Sequence, residues 1–476
     1  MLNSVRSIGS IVSPTRPYHE DEASFEFANL VAEQRSPFET DGDKISFSEG
    51  FRALADKTQV HDRTGVEGVF RNRLTHSQEV SRVGRSLGVA VGARMTAYYG
   101  LHAAPTGEAF WRVDPSEIGH IVAAACLSHD VGNPPFGHEG EDEISNFYAH
   151  TKIGKEVVRR VNSDLAAELC LHEGNAQGFR IITKSEYHQY DGGMRLTYAT
   201  LATFLKYPWL SIDATDSNGA SSKPGKYSAF VSEADAFREV AAATGLREIA
   251  PGRFCRHPLA YLMEAADDFC YAIIDLEDGL EMDLLHWDEV YALLQPALPD
   301  TPEVRDLIHS DLRDGRKAAL LRGKIIECFI EAGVEAFVAN HDNLLGGRME
   351  GDLISHCEPA VRDVVENAKQ LARSKVFEHP RKIELEIGAF EVMGALLDGL
   401  IEAAVSHACD SARNYRHERI IDLIGRHSFP EQLASLPEQE RIYQCIMRAL
   451  DFLAGMTDNY ATYLAKQFSG MAETRY

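Results

Sequence analysis

The residues with the most chemistry for their length lie between Ser128 and Glu141, in the run Ser-His-Asp-Val-Gly-Asn-Pro-Pro-Phe-Gly-His-Glu-Gly-Glu. His129 and Asp130 set an imidazole beside a carboxylate, a pair that can serve one divalent metal ion. His138 and Glu141 follow, three residues apart, and share a face if that stretch is helical. An imidazole oriented by a carboxylate suits proton transfer to or from a leaving oxygen. His76 stands at the start of an amphipathic segment, and Glu264, Asp267, Tyr271, Asp275 and Asp278 recur at helical spacing between apolar faces. Together, His76, His129, Asp130 and an acid of the 264–278 segment form a mixed nitrogen and oxygen donor set. Such a set suits Mn, Mg, Fe or Co and leaves positions for water and a phosphate oxygen. A metal held there would activate water and withdraw charge from a phosphoryl group. Either Asp267 or Asp268 satisfies the pattern. Each signal is weak alone: a histidine at a helix start is more often a cap, and an acidic stripe is more often solvated. Their combination on successive predicted helices carries the weight.

The elements that must position these groups read as helices. Thr75 and Gln78 have capping-box spacing, and Val80, Val83, Leu87, Ala90 and Val91 follow at helical period. A second helix from about Pro115 ends at His129-Asp130, where Pro134-Pro135 forbid continuation. Another starts near Glu141. Val157 to Arg180 reads as helical, Thr197 to Leu205 as a further helix, and Pro258 opens the helix bearing the acidic stripe. Residues up to about Asp43 read as irregular because of Pro14, Pro17 and Pro37, with a short helix near Phe47–Leu54. Ser211 to Lys226 is polar and reads as a surface loop. Ile387–Ile401 and Arg441–Tyr463 are amphipathic. The fold class expected is all-α: a lead-in over 1–45, a helical core over 46–285 and an additional helical lobe over 286–476.

Bulk composition narrows the function. Hydrophobic residues at 44% and charged residues at 25% describe an ordinary globular chain, so disorder is not expected. A formal net charge of −24 argues against a nucleic-acid coat or an anionic membrane partner, which need surplus Lys and Arg. None of the 8 cysteines is in CxxC spacing, which points away from structural zinc and toward a reducing cytoplasm. No apolar run reaches membrane-spanning length, and the N-terminus has no continuous apolar core of a signal peptide.

The order His…His-Asp…Asp resembles the HD phosphohydrolase superfamily, and longer words resemble its dGTPase family. These are Arg-Leu-Thr-His-Ser (73–77), His-Asp-Val-Gly-Asn-Pro-Pro-Phe-Gly-His-Glu-Gly-Glu (129–141), His-Glu-Gly-Asn-Ala-Gln (172–177), Lys-Tyr-Pro-Trp (206–209) and the run 264–278. Arg35–Phe38, Asp56–Val60 and Gly455–Asp458 extend the likeness almost end to end. The resemblance implies hydrolysis of dGTP or another dNTP at the α-phosphorus to deoxynucleoside and inorganic triphosphate. It implies metal ligands at His76, His129, Asp130 and Asp267, the last chosen by the family spacing to Tyr271 and Asp275. It implies a catalytic pair at His138 and Glu141. Substrate contacts are implied at Arg73 and Lys206 for phosphates, Gln59, Tyr271 and Asp275 for the sugar, and Asn175 in the pocket wall. Late arginines approach the phosphates in the family, and Arg413, Arg416, Arg441 and Arg448 all qualify. The implied protein is a cytoplasmic homo-oligomer, a hexamer among the implied assemblies, with single-stranded DNA or a nucleotide as candidate effector. Another HD nucleotidase or phosphodiesterase, and a sensor without turnover, are the alternative readings.

Overall fold

The structure is a computed structural model that describes residues 11–17, 35–57, 71–101, 113–186, 192–214, 225–409, 414–430 and 433–471. Helix α1 (Pro37–Phe47) is capped by the Ser36 side chain, with Pro37 in its first turn. The irregular chain expected here is therefore a helix from Pro37 onward, because a first-turn proline lacks only an N–H that has no helical partner. A short helix, Glu49–Ala53, follows. Helix α2 (Arg73–Leu101) carries His76. Its capping box is not Thr75 with Gln78 but Asn72 with Thr75. The Asn72 side chain accepts from Thr75 N at 2.9 Å, and Thr75 Oγ1 accepts from Asn72 N at 3.1 Å. Helix α3 (Pro115–Ser128) is capped by Asp114 and stops at His129, as expected.

Helix α4 (His138–His150) begins at His138, earlier than the expected Glu141, because Gly137 turns the chain with φ 65°. The helical stretch expected over Val157–Arg180 is divided among three helices: α5 (Lys152–Arg160), α6 (Ser163–Cys170) and α7 (Gly174–Arg180). The breaks come from side-chain caps that compete with helix continuation. Asn162 accepts from Asp164 N and Leu165 N, and Glu173 accepts from Asn175 N. Helix α8 (Tyr198–Phe204) is capped by Thr197, and α9 (Ala234–Ala243) follows. A small antiparallel hairpin, β1 (Glu248–Ala250) with β2 (Arg253–Phe254), is the one sheet among the described residues. Helix α10 (Ala260–Glu281) carries the acidic stripe. Then come α11 (Asp314–Ala339), α12 (Pro359–Ala372), α13 (Pro380–Ala408), α14 (Tyr415–Ile424), α15 (Glu438–Ala454) and α16 (Asp458–Phe468). The expected helix Arg441–Tyr463 is thus broken at Gly455–Thr457, where Thr457 caps α16.

Three apolar clusters organise these helices. The first joins α2, α3, α10, α11 and α12 through Leu87, Ile121, Leu262, Phe269, Phe329 and Val365. The second joins α4, α13, α15 and α16 through Phe147, Met393, Leu400, Ile446 and Leu464. The third gathers Ile45 of α1, Phe179 of α7 and Leu201 of α8 with Phe237 of α9. Helices α2 and α3 approach until their backbones touch: a Cβ at Gly88 would lie 2.9 Å from Gly119 Cα. This contact brings His76 on α2 up to His129 at the end of α3. The chain between α3 and α4, Asp130–Gly137, crosses from the first cluster to the second. Leu87 is fully buried, so Leu87→Ala would cost about 2–5 kcal/mol.

Candidate metal centre and active site

His76 lies one turn into α2 and is fully buried. Its Nε2 is 3.1 Å from Asp267 Oδ1. The His129 Nδ1 stands 2.6 Å from Cys126 O, the carbonyl three residues back in α3. A carbonyl only accepts, so Nδ1 carries the proton and Nε2 presents its lone pair. That Nε2 is 3.5 Å from Asp267 Oδ1 and 3.6 Å from Asp130 Oδ2. Asp130 is oriented from outside: its Oδ1 accepts from Arg73 Nη1 at 2.9 Å and from Asn133 Nδ2 at 2.6 Å. The donor atoms of His76, His129 and Asp130 all lie within 4.8 Å of one another. Four residues from two helix ends and one helix face therefore converge.

This set fits a divalent metal ion. His129 Nε2 and Asp130 Oδ2 are buried and, among the described residues, have no hydrogen-bond partner. A buried polar atom left unpaired is costly, and a cation in contact with several of them removes that cost. The histidine orienting bond to a carbonyl is the arrangement that fixes an imidazole as a ligand. Burial raises the carboxyls of Asp267 and Asp130. The nearby histidines, with Arg73 at Asp130, outweigh it and hold both below the usual carboxylate range. Both are therefore ionised, as ligands must be.

Along α10 the Tyr271 ring sits 4.8 Å from the His76 ring, one turn beyond Asp267. Asp275, a further turn on, is buried and its Oδ1 has no hydrogen-bond partner among the described residues. Burial, then Asp278 and Asp267, push its carboxyl well above the usual range. Lys206 follows α8 and places Nζ 3.4 Å from Glu264 Oε1. Burial disfavours its charge, but Glu264 outweighs burial and keeps the ammonium.

His138 opens α4 beside Arg73. Burial, then Arg73 and Lys226, hold its imidazole below the ordinary range. Glu141 is buried, yet among the described contacts its carboxylate does not bond His138. It faces Lys226 Nζ at 3.7 Å, and the same ammonium bonds Glu173 Oε2 at 2.5 Å. Burial and then Glu173 push the Glu141 carboxyl up. Gly174 leaves room for this group, since a Cβ there would overlap Glu141 Oε1. Asn175 donates to Glu173, so it steadies this acidic pair from behind. Lys226 and Glu173 have no site role in the sequence reading. Glu173 lay inside a recognisable word, but Lys226 ends a polar loop and carried no pattern.

A cavity of about 1000 Å³ opens beside these groups. Its lining includes Arg73, His138 and Phe136 from the site, and Lys57 and Arg71 before it. From the C-terminal half come Arg373, Lys382 and Asp458. None of the described late arginines lines it. Arg416 lies over the Phe468 ring, Arg441 bonds the carbonyls of Ala408 and Leu436, and Arg448 pairs with Asp451. Gln59 and Arg413 lie outside the described residues.

Residues 73–178 match the HD domain family. A deoxyguanosinetriphosphate triphosphohydrolase-like protein of Pseudomonas aeruginosa is 43% identical over 440 residues, covering 92% of this chain and 94% of that protein. The chain belongs to this family. A similarly named protein of a Synechocystis species is 35% identical over 92% of the chain and 95% of its own length. The deoxyguanosinetriphosphate triphosphohydrolase of Yersinia enterocolitica is 30% identical over 89% of the chain and 92% of its own length. Membership makes the protein an HD-type phosphohydrolase with an almost wholly helical fold, and His76 and the His129-Asp130 pair both fall inside the matched domain. Among the described residues, no helix is long and apolar enough to cross a membrane.

Proposed function

We propose that the protein hydrolyses dGTP, and other dNTPs to a lesser extent, at the α-phosphorus. The products are the deoxynucleoside and inorganic triphosphate. One observation carries this reading: a buried nitrogen and oxygen donor set lies behind Arg73, which bonds Asp130 and also lines a large cavity of mixed charge, in a chain whose relatives are named deoxyguanosinetriphosphate triphosphohydrolases or proteins like them. His76, His129, Asp130 and Asp267 would hold the ion. A divalent cation there, Mn or Mg foremost, supplies Lewis acidity at a phosphoryl oxygen.

The chain's own residues do the rest. Arg73 and Lys206 bind phosphate oxygens and fix the α-phosphorus for in-line attack by water. The bond from phosphorus to the 5′-oxygen breaks, and the departing oxygen takes a proton. His138 supplies it. In the free protein burial, then Arg73 and Lys226, suppress its charge, and the anionic triphosphate offsets the two cations. Glu141, Glu173 and Lys226 form the charge balance behind it. Tyr271 packs against the sugar and Asp275 meets the 3′-hydroxyl. The C-terminal region, through Arg373, Lys382 and Asp458, completes the pocket in a cytoplasmic homo-oligomer. Incubation with each dNTP and NTP under Mn or Mg, with product identification, tests the reading. Inorganic triphosphate from dGTP is expected, and release of pyrophosphate or single phosphate contradicts it.

A further inference from the structure

The turn between the metal ligands and His138 takes its shape from residues far away in the chain. Phe136 adopts φ 64° and Gly137 φ 65°. Glycine tolerates this left-handed backbone, whereas a Phe there sets its Cβ against the carbonyl oxygen and needs support from outside. The support is visible. Phe136 N donates to Asp458 Oδ1 at 2.9 Å, across 322 residues of sequence. Asp458 opens α16 and is buried. The Thr457 side chain caps that helix by accepting from Tyr460 N.

The near end of the same turn is tied to the same place. Lys57, almost fully buried, donates from Nζ to Asn133 O at 2.7 Å and to Ala454 O at 2.6 Å. Ala454 ends α15, and only Gly455–Thr457 separate it from Asp458. A continuous helix through 441–463 could not present a carbonyl and a carboxylate side by side in this way. The break at Gly455–Thr457 therefore has a consequence at the active site, not only in the fold. His138 follows Phe136 by two residues, so whatever holds Phe136 aims the imidazole.

We propose that Asp458 is a positioning residue of the active site: it holds Phe136 in left-handed backbone and so aims His138, while Lys57 ties Asn133 to Ala454. The inference rests on the reading that His138 transfers the proton, and it adds the residue that places it.

The test uses the full chain with dGTP and Mn. Asp458→Ala should lower kcat by about 10- to 100-fold, the scale of a misplaced catalytic group, with Mn affinity kept. Asp458→Asn should recover most of the rate, because its amide oxygen can accept the same bond. Asp458→Ala should cost less in a Phe136→Gly background than in the wild type, because glycine reaches φ 64° without a Cβ. Should Asp458→Ala not fold, Asp458→Ser, too short to reach Phe136, replaces it. A wild-type kcat in Asp458→Ala, or a loss that neither rescue repairs, overturns the proposal. Hydrogen–deuterium exchange over 134–140 without substrate separates the two readings. Faster exchange in Asp458→Ala upholds the clamp even if dGTP is not the substrate, and unchanged protection overturns it even if dGTP is.

Discussion

Asn133 offers the sharpest probe of how the proposed metal cage would be held. Its Nδ2 donates to Asp130 Oδ1 at 2.6 Å, and Arg73 Nη1 shares that oxygen at 2.9 Å. The two donors fix the carboxylate plane, which leaves Oδ2 facing His129 Nε2. Asn133→Ala removes one donor and keeps the backbone carbonyl that Lys57 bonds. A hydrogen bond to a charged group contributes about 1.5–3 kcal/mol, which converts to a factor of roughly 10–150 in affinity if all of it appears there. Outer partners of metal ligands typically change affinity by about 10–100-fold, so the two estimates agree. Titration of metal-free protein with Mn, followed by calorimetry, should show a Kd raised by about 10–100-fold. The thermal midpoint of the metal-free protein should fall only slightly. A wild-type Mn Kd in a folded Asn133→Ala protein would refute the claim that Asp130 is a ligand held by its outer partners.

Other perturbations separate the jobs inside the site and the fold. His129→Ala should abolish stoichiometric Mn binding, whereas His138→Ala should keep it and lose kcat by about 100-fold or more, measured as metal content and turnover on the same preparations. If His138→Ala lost the metal, the division between cage and proton donor would fail. Arg180 is fully buried and spans Asp451 and Glu233 at 2.7–2.9 Å. Arg180→Met strands two buried carboxylates, which costs about 3–5 kcal/mol. In a chain of this length that lowers the melting temperature by roughly 3–5 °C. The pH dependence follows from Asp451. Burial raises its carboxyl, but Arg180 and Arg448 outweigh burial and depress it from 3.8 to about 2. A depressed acid stabilises the fold above its unfolded value and loses that contribution as pH falls through its folded one. The gap in melting temperature between wild type and Arg180→Met should therefore shrink as pH drops from about 4 toward about 2. A constant gap would mean that Arg180 acts through packing alone.

How much of this was legible depends on the range of the interactions. The helical class could be read from periodicity, because burial of one face repeats within a single helix. The same repeat put Asp267, Tyr271 and Asp275 on one side of α10, and adjacency alone brought His129 to Asp130. The structure gathers His76, His129, Asp130 and Asp267, whose likeness to a known ligand order was visible in the sequence. What stayed hidden is long-range or depends on side-chain caps. The breaks at Asn162, Glu173 and Thr457 interrupt stretches whose apolar spacing runs on without a sign. The pairing of Glu141 with Glu173 through Lys226 joins three separate segments, and no spacing encodes it. Nor does any motif announce that Arg373 and Lys382 line the cavity, where Arg416, Arg441 and Arg448 had seemed better candidates. Proline misled in one place: Pro37 starts a helix, because position within an element decides what a proline does.

The central claim is that a metal cage and a separate proton donor cut one bond, between the α-phosphorus and the 5′-oxygen. Hydrolysis of dGTP in ¹⁸O-labelled water with Mn, followed by mass spectrometry of both products, tests it most directly. The account predicts a single label in inorganic triphosphate and none in deoxyguanosine. Label in the nucleoside, or the appearance of a labelled nucleotide with pyrophosphate, would contradict it.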